Sequence, residues 1–171
     1  MDFLELIRKR HSIRAYSPAA VEEEKLDLIM EAASSAPSAG NLQAYEVFVV
    51  RGERKKRELA KAAQDQDFII AAPICLVFFA SPHRSSAKYG HRGETLYCMQ
   101  DATIAATFAM LAAVDLGLCT VWLGAFDDRE VAKVCGVESL RPVAILPVGY
   151  PAEEPEATPR RAVKDVFHYV G

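Results

Sequence analysis

The chain has no surplus of positive charge. Its 171 residues carry 20 lysines and arginines against 23 aspartates and glutamates, a formal net charge of −3, with no block of five like charges. Nucleic-acid binding needs a basic face, so no nucleic-acid partner is expected. A membrane-spanning run is also missing. The most apolar stretch, Ala102 to Val114, falls short of the ~20 residues a bilayer requires and is interrupted by Thr103 and Thr107. The opening Met1-Asp2-Phe3-Leu4-Glu5 puts acid where a secretory signal has its basic region, so a cytoplasmic location without a membrane partner is expected. The four cysteines, Cys75, Cys98, Cys119 and Cys135, form no Cys-x-x-Cys pair and lie among apolar neighbours. Reduced, buried thiols and no metal site follow. No glycine-rich dinucleotide fingerprint, P-loop, Gly-x-Ser-x-Gly elbow or His-Glu-x-x-His pair occurs. His83 and His91 have no nucleophile to pair with, and no catalytic carboxylate pair is indicated.

The sequence does hold one domain's worth of core. Half the residues (51%) are hydrophobic, and neither a repeat nor a linker divides residues 1–171. Periodicity predicts helices at 2–10, 22–35, 53–63, 94–116 and 127–135, and strands at 45–51, 74–79, 119–123 and 143–150. The 94–116 helix is apolar almost all round from Ala102 onwards, which predicts burial on every face. Ser81, Pro82, Ser85, Ser86, Gly90 and Gly93 give 81–93 the composition of a mobile surface loop. The tail, 151–171, is Pro-rich, acidic at Glu153, Glu154 and Glu156, then basic, then apolar; it is expected to dock on a partner. Mixed helices and irregularly spaced strands point to an α+β fold around one sheet.

Four segments could carry chemistry. Arg10-His11-Ser12-Ile13-Arg14 follows a helix; an extended backbone sends Arg10, Ser12 and Arg14 to one side, a donor set suited to phosphate and equally to a solvated basic turn. Pro37-Ser38-Ala39-Gly40-Asn41-Leu42-Gln43 is small enough for close approach to a flat ligand, with amides that donate and accept; it also fits a plain helix-to-strand connection. Trp122-Leu123-Gly124-Ala125-Phe126 ends a buried strand, where Gly124 could face a ligand or simply terminate the strand. Pro159-Arg160-Arg161 is a basic pair in the tail. A phosphate site without an acid–base set suggests chemistry delegated to a cofactor.

Taken in order, these segments, with Gln100-Asp101-Ala102 and Pro147-Val148-Gly149-Tyr150-Pro151, resemble the nitroreductase-like flavoproteins over nearly the whole chain. The resemblance implies an antiparallel sheet flanked by helices, an intertwined homodimer, FMN at its interface, NADH or NADPH as electron donor and a small-molecule acceptor such as a nitroaromatic or quinone. It assigns Arg10, His11 and Ser12, with Arg160 and Arg161, to the FMN phosphate, and Arg14 to the pyrimidine end of the flavin in support of its reduction. Pro37, Ser38, Ala39 and Asn41 would line the ring from the other subunit, and Gly124 and Ala125 would offer backbone N–H groups. The flavin itself would perform the chemistry, in two half-reactions at one site. The chain departs from the family pattern at Ala44, where proline is common. It departs again at Gln64-Asp65-Gln66-Asp67, where only a glutamine, Gln66, could take the place of the usual flavin-edge residues. The segment 81–93 is the candidate substrate flap. A flavin storage protein, or a relative with dehalogenating or flavin-modifying activity, remains an alternative reading.

Overall fold

A computed structural model describes residues 2–155 and 157–171; Met1 of the opening segment and Glu156 of the acidic stretch lie outside them. The sheet has four antiparallel strands in the order β1-β2-β4-β3, with β1 at Tyr45–Val50, β2 at Ile74–Ala80, β3 at Cys119–Thr120 and β4 at Arg141–Gly149. All seven residues of β2 are buried. Their alternation explains why the segment reads as one continuous apolar run: Leu76 and Phe78 face one core, while Cys75, Val77 and Phe79 face another. Leu146 and Val148 of β4 join the first core and Ile145 the second. Helices α2 (Glu23–Ser34) and α6 (Cys98–Asp115) close the first core. Helices α3 (Glu53–Ala62), α4 (Phe68–Ala71) and α7 (Asp128–Cys135) close the second.

Local chemistry sets the element ends. Asp2 and Glu5 form a reciprocal capping box on α1 (Phe3–Lys9). Asp127 caps α7 by accepting from the Arg129 and Glu130 N–H groups, and Gly136 ends it in the left-handed conformation, φ 73°.

Three expectations change. Residues 81–93 are not a loop: α5 spans Pro82–Arg92, and a π-turn, Gly93–Tyr97, leads into α6. Pro82 in the first turn favours the helix. The Ser and Gly content marks one break, Gly90, at φ 55° and ψ −142°, a conformation reserved for glycine. The predicted strand 119–123 pairs only at Cys119–Thr120, with Leu123 making an isolated bridge to Ile145, because Val121 and Trp122 leave the ladder between them. Finally, α6 is not covered on every face. Ala102, Ala105, Ala106, Ala109 and Ala113 are buried, but Thr103, Thr107 and Phe108 are exposed. In α1 no residue is buried, and Phe3 and Leu4 remain 64% and 55% exposed. Every described residue of the tail is exposed, including Val163, Phe167 and Tyr169.

Candidate cofactor and substrate site

The segment between α2 and β1 is an unusual piece of backbone. Ala39–Asn41 makes one 3-10 turn, and Gly40, Asn41 and Gln43 all have positive φ, at 57°, 56° and 49°. Two of these carry side chains, and each left-handed non-glycine residue costs about 1–2 kcal/mol. What holds the loop is Asp101 on α6. Its carboxylate, 2% exposed, accepts the Ala39 N–H at 2.9 Å on Oδ1 and the Ala44 N–H at 3.3 Å on Oδ2. Charge-assisted bonds to backbone amides at both ends of the loop offset its strain. Ser38 Oγ accepts the Gln43 N–H at 2.9 Å, and Asn41 Oδ1 accepts from Gln43 Nε2 at 3.2 Å. The strapped loop forms one wall of a groove of about 600 Å³, lined by Pro37, Ser38 and Ala39 and, from the α6 side, by Tyr97, Gln100 and Ile104.

The N-terminal segment is built separately. Arg10 leaves α1 with extended dihedrals. Ser12 bridges Thr120 in parallel, and the Ile13 N–H donates to Thr120 O at 3.3 Å. Ile13 is buried while Ser12 and Arg14 are exposed and Arg10 half-buried, so the expected alternation is present. Glu153 fixes the strip from behind: its Oε1 accepts the Arg14 and Ala15 N–H groups at 2.6 and 3.2 Å. Arg10 stands near Arg160 of the tail; burial and this second cation both pull its guanidinium below the ordinary value. Arg161 spends a donor on Asp165 O at 2.6 Å. His11 lines a pocket of about 390 Å³ with Lys9, Ile13, Leu118, Cys119 and Glu153.

A third group gathers at the last turn of α3. The Gln66 N–H donates to Ala60 O at 3.2 Å and its side-chain amide to Ala63 O at 2.8 Å, while the Asp127 N–H donates to Ala62 O at 2.9 Å. Gln66 and the exposed Gly124-Ala125 turn therefore share one anchor. The backbone N–H groups of Gly124 and Ala125 have no partner among the described residues. The Gln66 amide, by contrast, already serves the chain with its nitrogen.

The fit of an FMN phosphate can be tested on these positions. Arg10 has no carboxylate partner among the described residues, and the charge of Arg160 adds to burial in pulling its guanidinium down, an arrangement that a bound dianion would stabilise. Beside Ser12, the Thr120 Oγ1 is buried without a hydrogen-bond partner among the described residues. The residues present fit the group. They do not, however, meet the groove. The groove uses Gln100, whereas the His11 pocket uses Val114 and Leu118. Along α6, Gln100 and Val114 are separated by about 21 Å. Within one chain, the pocket beside His11 and the groove beside the 37–44 loop lie towards opposite ends of α6.

Asp101 escaped the sequence reading as a functional residue, although an acid within the alanine-rich part of a helix is a usable signal. Tyr97, Gln100 and Glu153 carried no such signal.

Comparisons agree with this architecture. The model of the Nitroreductase family matches residues 7–66 and 60–150. A putative NADH dehydrogenase/NAD(P)H nitroreductase from Methanothermobacter thermautotrophicus is 31% identical over 160 residues, covering 91% of this chain and 80% of the relative. An FMN reductase [NAD(P)H] from Bacillus subtilis is 30% identical over 181 residues, covering 98% and 73%. Among solved structures, the NADPH:FMN oxidoreductase from Vibrio harveyi complexed with NAD+ superposes with a TM-score of 0.89 at 27% identity, over 97% of this chain and 76% of that one. A nitroreductase family protein from Streptococcus pneumoniae gives 0.88 at 26% identity, over 98% and 100%. With its four-stranded antiparallel sheet and these matches over nearly the whole chain, this protein belongs to the nitroreductase family.

Proposed function

We propose that the chain is an FMN-dependent oxidoreductase that works as a homodimer, passing electrons from NADH or NADPH to a small acceptor such as a nitroaromatic or quinone. The observation that carries the reading is the split of the candidate site along α6. A second copy, laid against the uncovered side of α6, would bring its Arg10 strip to the groove of the first, and twofold symmetry would make two equal sites. The open apolar faces of α1 and α6 and the fully exposed tail support such an assembly.

Bound FMN supplies the two-electron chemistry. The chain's residues hold and orient it: Arg10, Ser12 and Arg160, with His11 and Arg161 beside them, take the phosphate. Pro37, Ser38, Ala39 and Asn41 form the close wall, and Gly124 and Ala125 present N–H groups that have no partner among the described residues. Gln66 is a weaker contributor because its amide nitrogen is already engaged. Arg14 keeps an exposed guanidinium on a backbone pinned by Glu153, placed to meet negative charge that develops during reduction. Donor and acceptor use the groove in turn.

Three measurements test this. The purified protein should carry a flavin spectrum that bleaches with NADH or NADPH and recovers with acceptor; an unchanged spectrum would identify a storage protein instead. Light scattering should give a dimer. Double-reciprocal plots at several acceptor concentrations should be parallel, and intersecting lines would rule out the shared groove.

A further inference from the structure

Helix α5 leads through the π-turn to Tyr97 of the groove wall and carries His83, Arg84, Lys88, His91 and Arg92 without a single carboxylate. Two of these meet a carbonyl or a carboxylate. The Arg84 Nε–H donates to Leu42 O at 2.5 Å, and His91 Nδ1 lies 3.9 Å from Glu94. Lys88 and Arg92 have no carboxylate partner among the described residues; they rest on aromatic rings. Lys88 Nζ is 5.4 Å from the Tyr89 ring centroid, and the Arg92 guanidinium carbon is 5.4 Å from that of Tyr97. Arg92 Nε also donates to Tyr97 Oη at 3.0 Å. The two rings meet edge to face, 5.2 Å apart at 83°.

These contacts form one continuous row, Lys88-Tyr89-Tyr97-Arg92, and two observations place it at the groove mouth. Tyr97 lines the groove itself. At the other end, a Cβ on Gly40 would collide with Tyr89 Oη and stand 2.7 Å from Lys88 Nζ, so the row presses on the loop that Asp101 straps. Ring faces hold the stems of both cations in place while their charges stay exposed, without a carboxylate partner among the described residues.

We infer that Lys88 and Arg92 form a docking site for the phosphate of a planar, phosphate-bearing substrate entering the groove. The inference rests on the proposed function. The phosphate can come from the dinucleotide donor or from a flavin-type acceptor, and the ring edges of Tyr89 and Tyr97 guide the planar part past them.

The test uses the full-length, flavin-loaded protein and its Lys88→Gln, Arg92→Gln and doubly substituted variants at low salt. In the donor arm, NADH and NADPH are compared with N-benzyl-dihydronicotinamide, which has no phosphate, against a neutral quinone. In the acceptor arm, free FMN is compared with riboflavin, the same ring without phosphate, against the phosphate-free donor. Each lost cation should lower kcat/KM for the phosphate-bearing member by about fivefold, chiefly through KM, and leave the phosphate-free member unchanged. Arg92→Lys should keep the preference. A fall confined to NADH and NADPH identifies the donor's phosphate, a fall confined to FMN the acceptor's, and a fall in both a site used by each in turn. Equal losses with and without phosphate would mark a packing role and overturn the inference, as would no loss in either arm. A chain that takes up no flavin overturns the proposed function and this inference together, whereas a flavin-loaded enzyme indifferent to phosphate overturns this inference alone.

Discussion

Asp101 holds two backbone amides that lie 62 and 57 positions away in sequence, at Ala39 and Ala44. Asp101→Ala would leave both without an acceptor in a largely buried setting and release a loop with three left-handed residues. A loss of about 2–4 kcal/mol in stability and a marked drop in flavin affinity are expected, to be read by thermal unfolding and flavin titration. Unchanged flavin binding would mean the loop holds its shape unaided. Arg14→Ala should behave differently: its guanidinium is exposed and has no partner among the described residues, so flavin retention should survive while anaerobic bleaching by NADH slows. The thiols offer a third check. Burial pushes Cys75 and Cys119 up to about 12 and Cys135 up to about 11, from an ordinary 9.0. Folded thiols stay protonated where unfolded ones ionise, so their contribution is intact below pH 9 and is lost as pH rises from about 9 towards 12. Chemical unfolding midpoints should fall across that window, and native protein at pH 8 should resist thiol reagents. The Arg10-to-Arg14 alternation was legible because an extended strip shows its faces in the sequence itself. The role of Asp101 was not, because nothing local reveals which distant amides a buried carboxylate will meet.

Among the elements, β2 was the easiest to read. Seven apolar residues between Pro73 and Ser81 admit a strand buried on both faces, and the structure places it at the centre of the sheet. The antiparallel arrangement came from the resemblance rather than from periodicity, since an apolar run does not reveal the direction of its neighbours. Helix α5 was misread because two glycines and three serines were weighed as flexibility. In the structure Gly90 turns the chain, and Gly93 lets it fold back: a Cβ there would lie 2.5 Å from Ser85 O. Gly93→Ala must therefore push α5 away from the π-turn, at an expected cost of about 1–3 kcal/mol, and weaken whatever α5 does at the groove. Gly52→Ala, with nothing within 4 Å of the added atom, should cost a few tenths of that order. Equal midpoints for the two variants in urea would show that the α5 packing is softer than these distances imply.

At the scale of the whole molecule, the separation of arginine strip and groove makes a prediction that no single-chain site shares. A chain carrying Arg10→Ala and a chain carrying Asp101→Ala should each bind flavin poorly alone. Co-expressed and purified as a mixed pair through two different tags, they should bind one flavin per two chains, because one of the two sites draws a native Arg10 from one chain and a native Asp101 from the other. A mixed pair as empty as its parents would place both residues in one chain's site and overturn the shared arrangement. The tail and the uncovered side of α6 leave this assembly open to mass action. If only the paired form can hold the cofactor, then cofactor and second chain stabilise each other by linkage, each raising the affinity for the other by the same factor. Dilution would then act as a chemical reagent: it would strip flavin from the protein without any change in temperature or pH, and added FMN would reassemble what dilution had taken apart. Activity per chain would fall with concentration in the manner of a dissociation curve. The long helix at the centre of the fold would thus be a ruler, keeping each chain's two contributions too far apart to work without a neighbour.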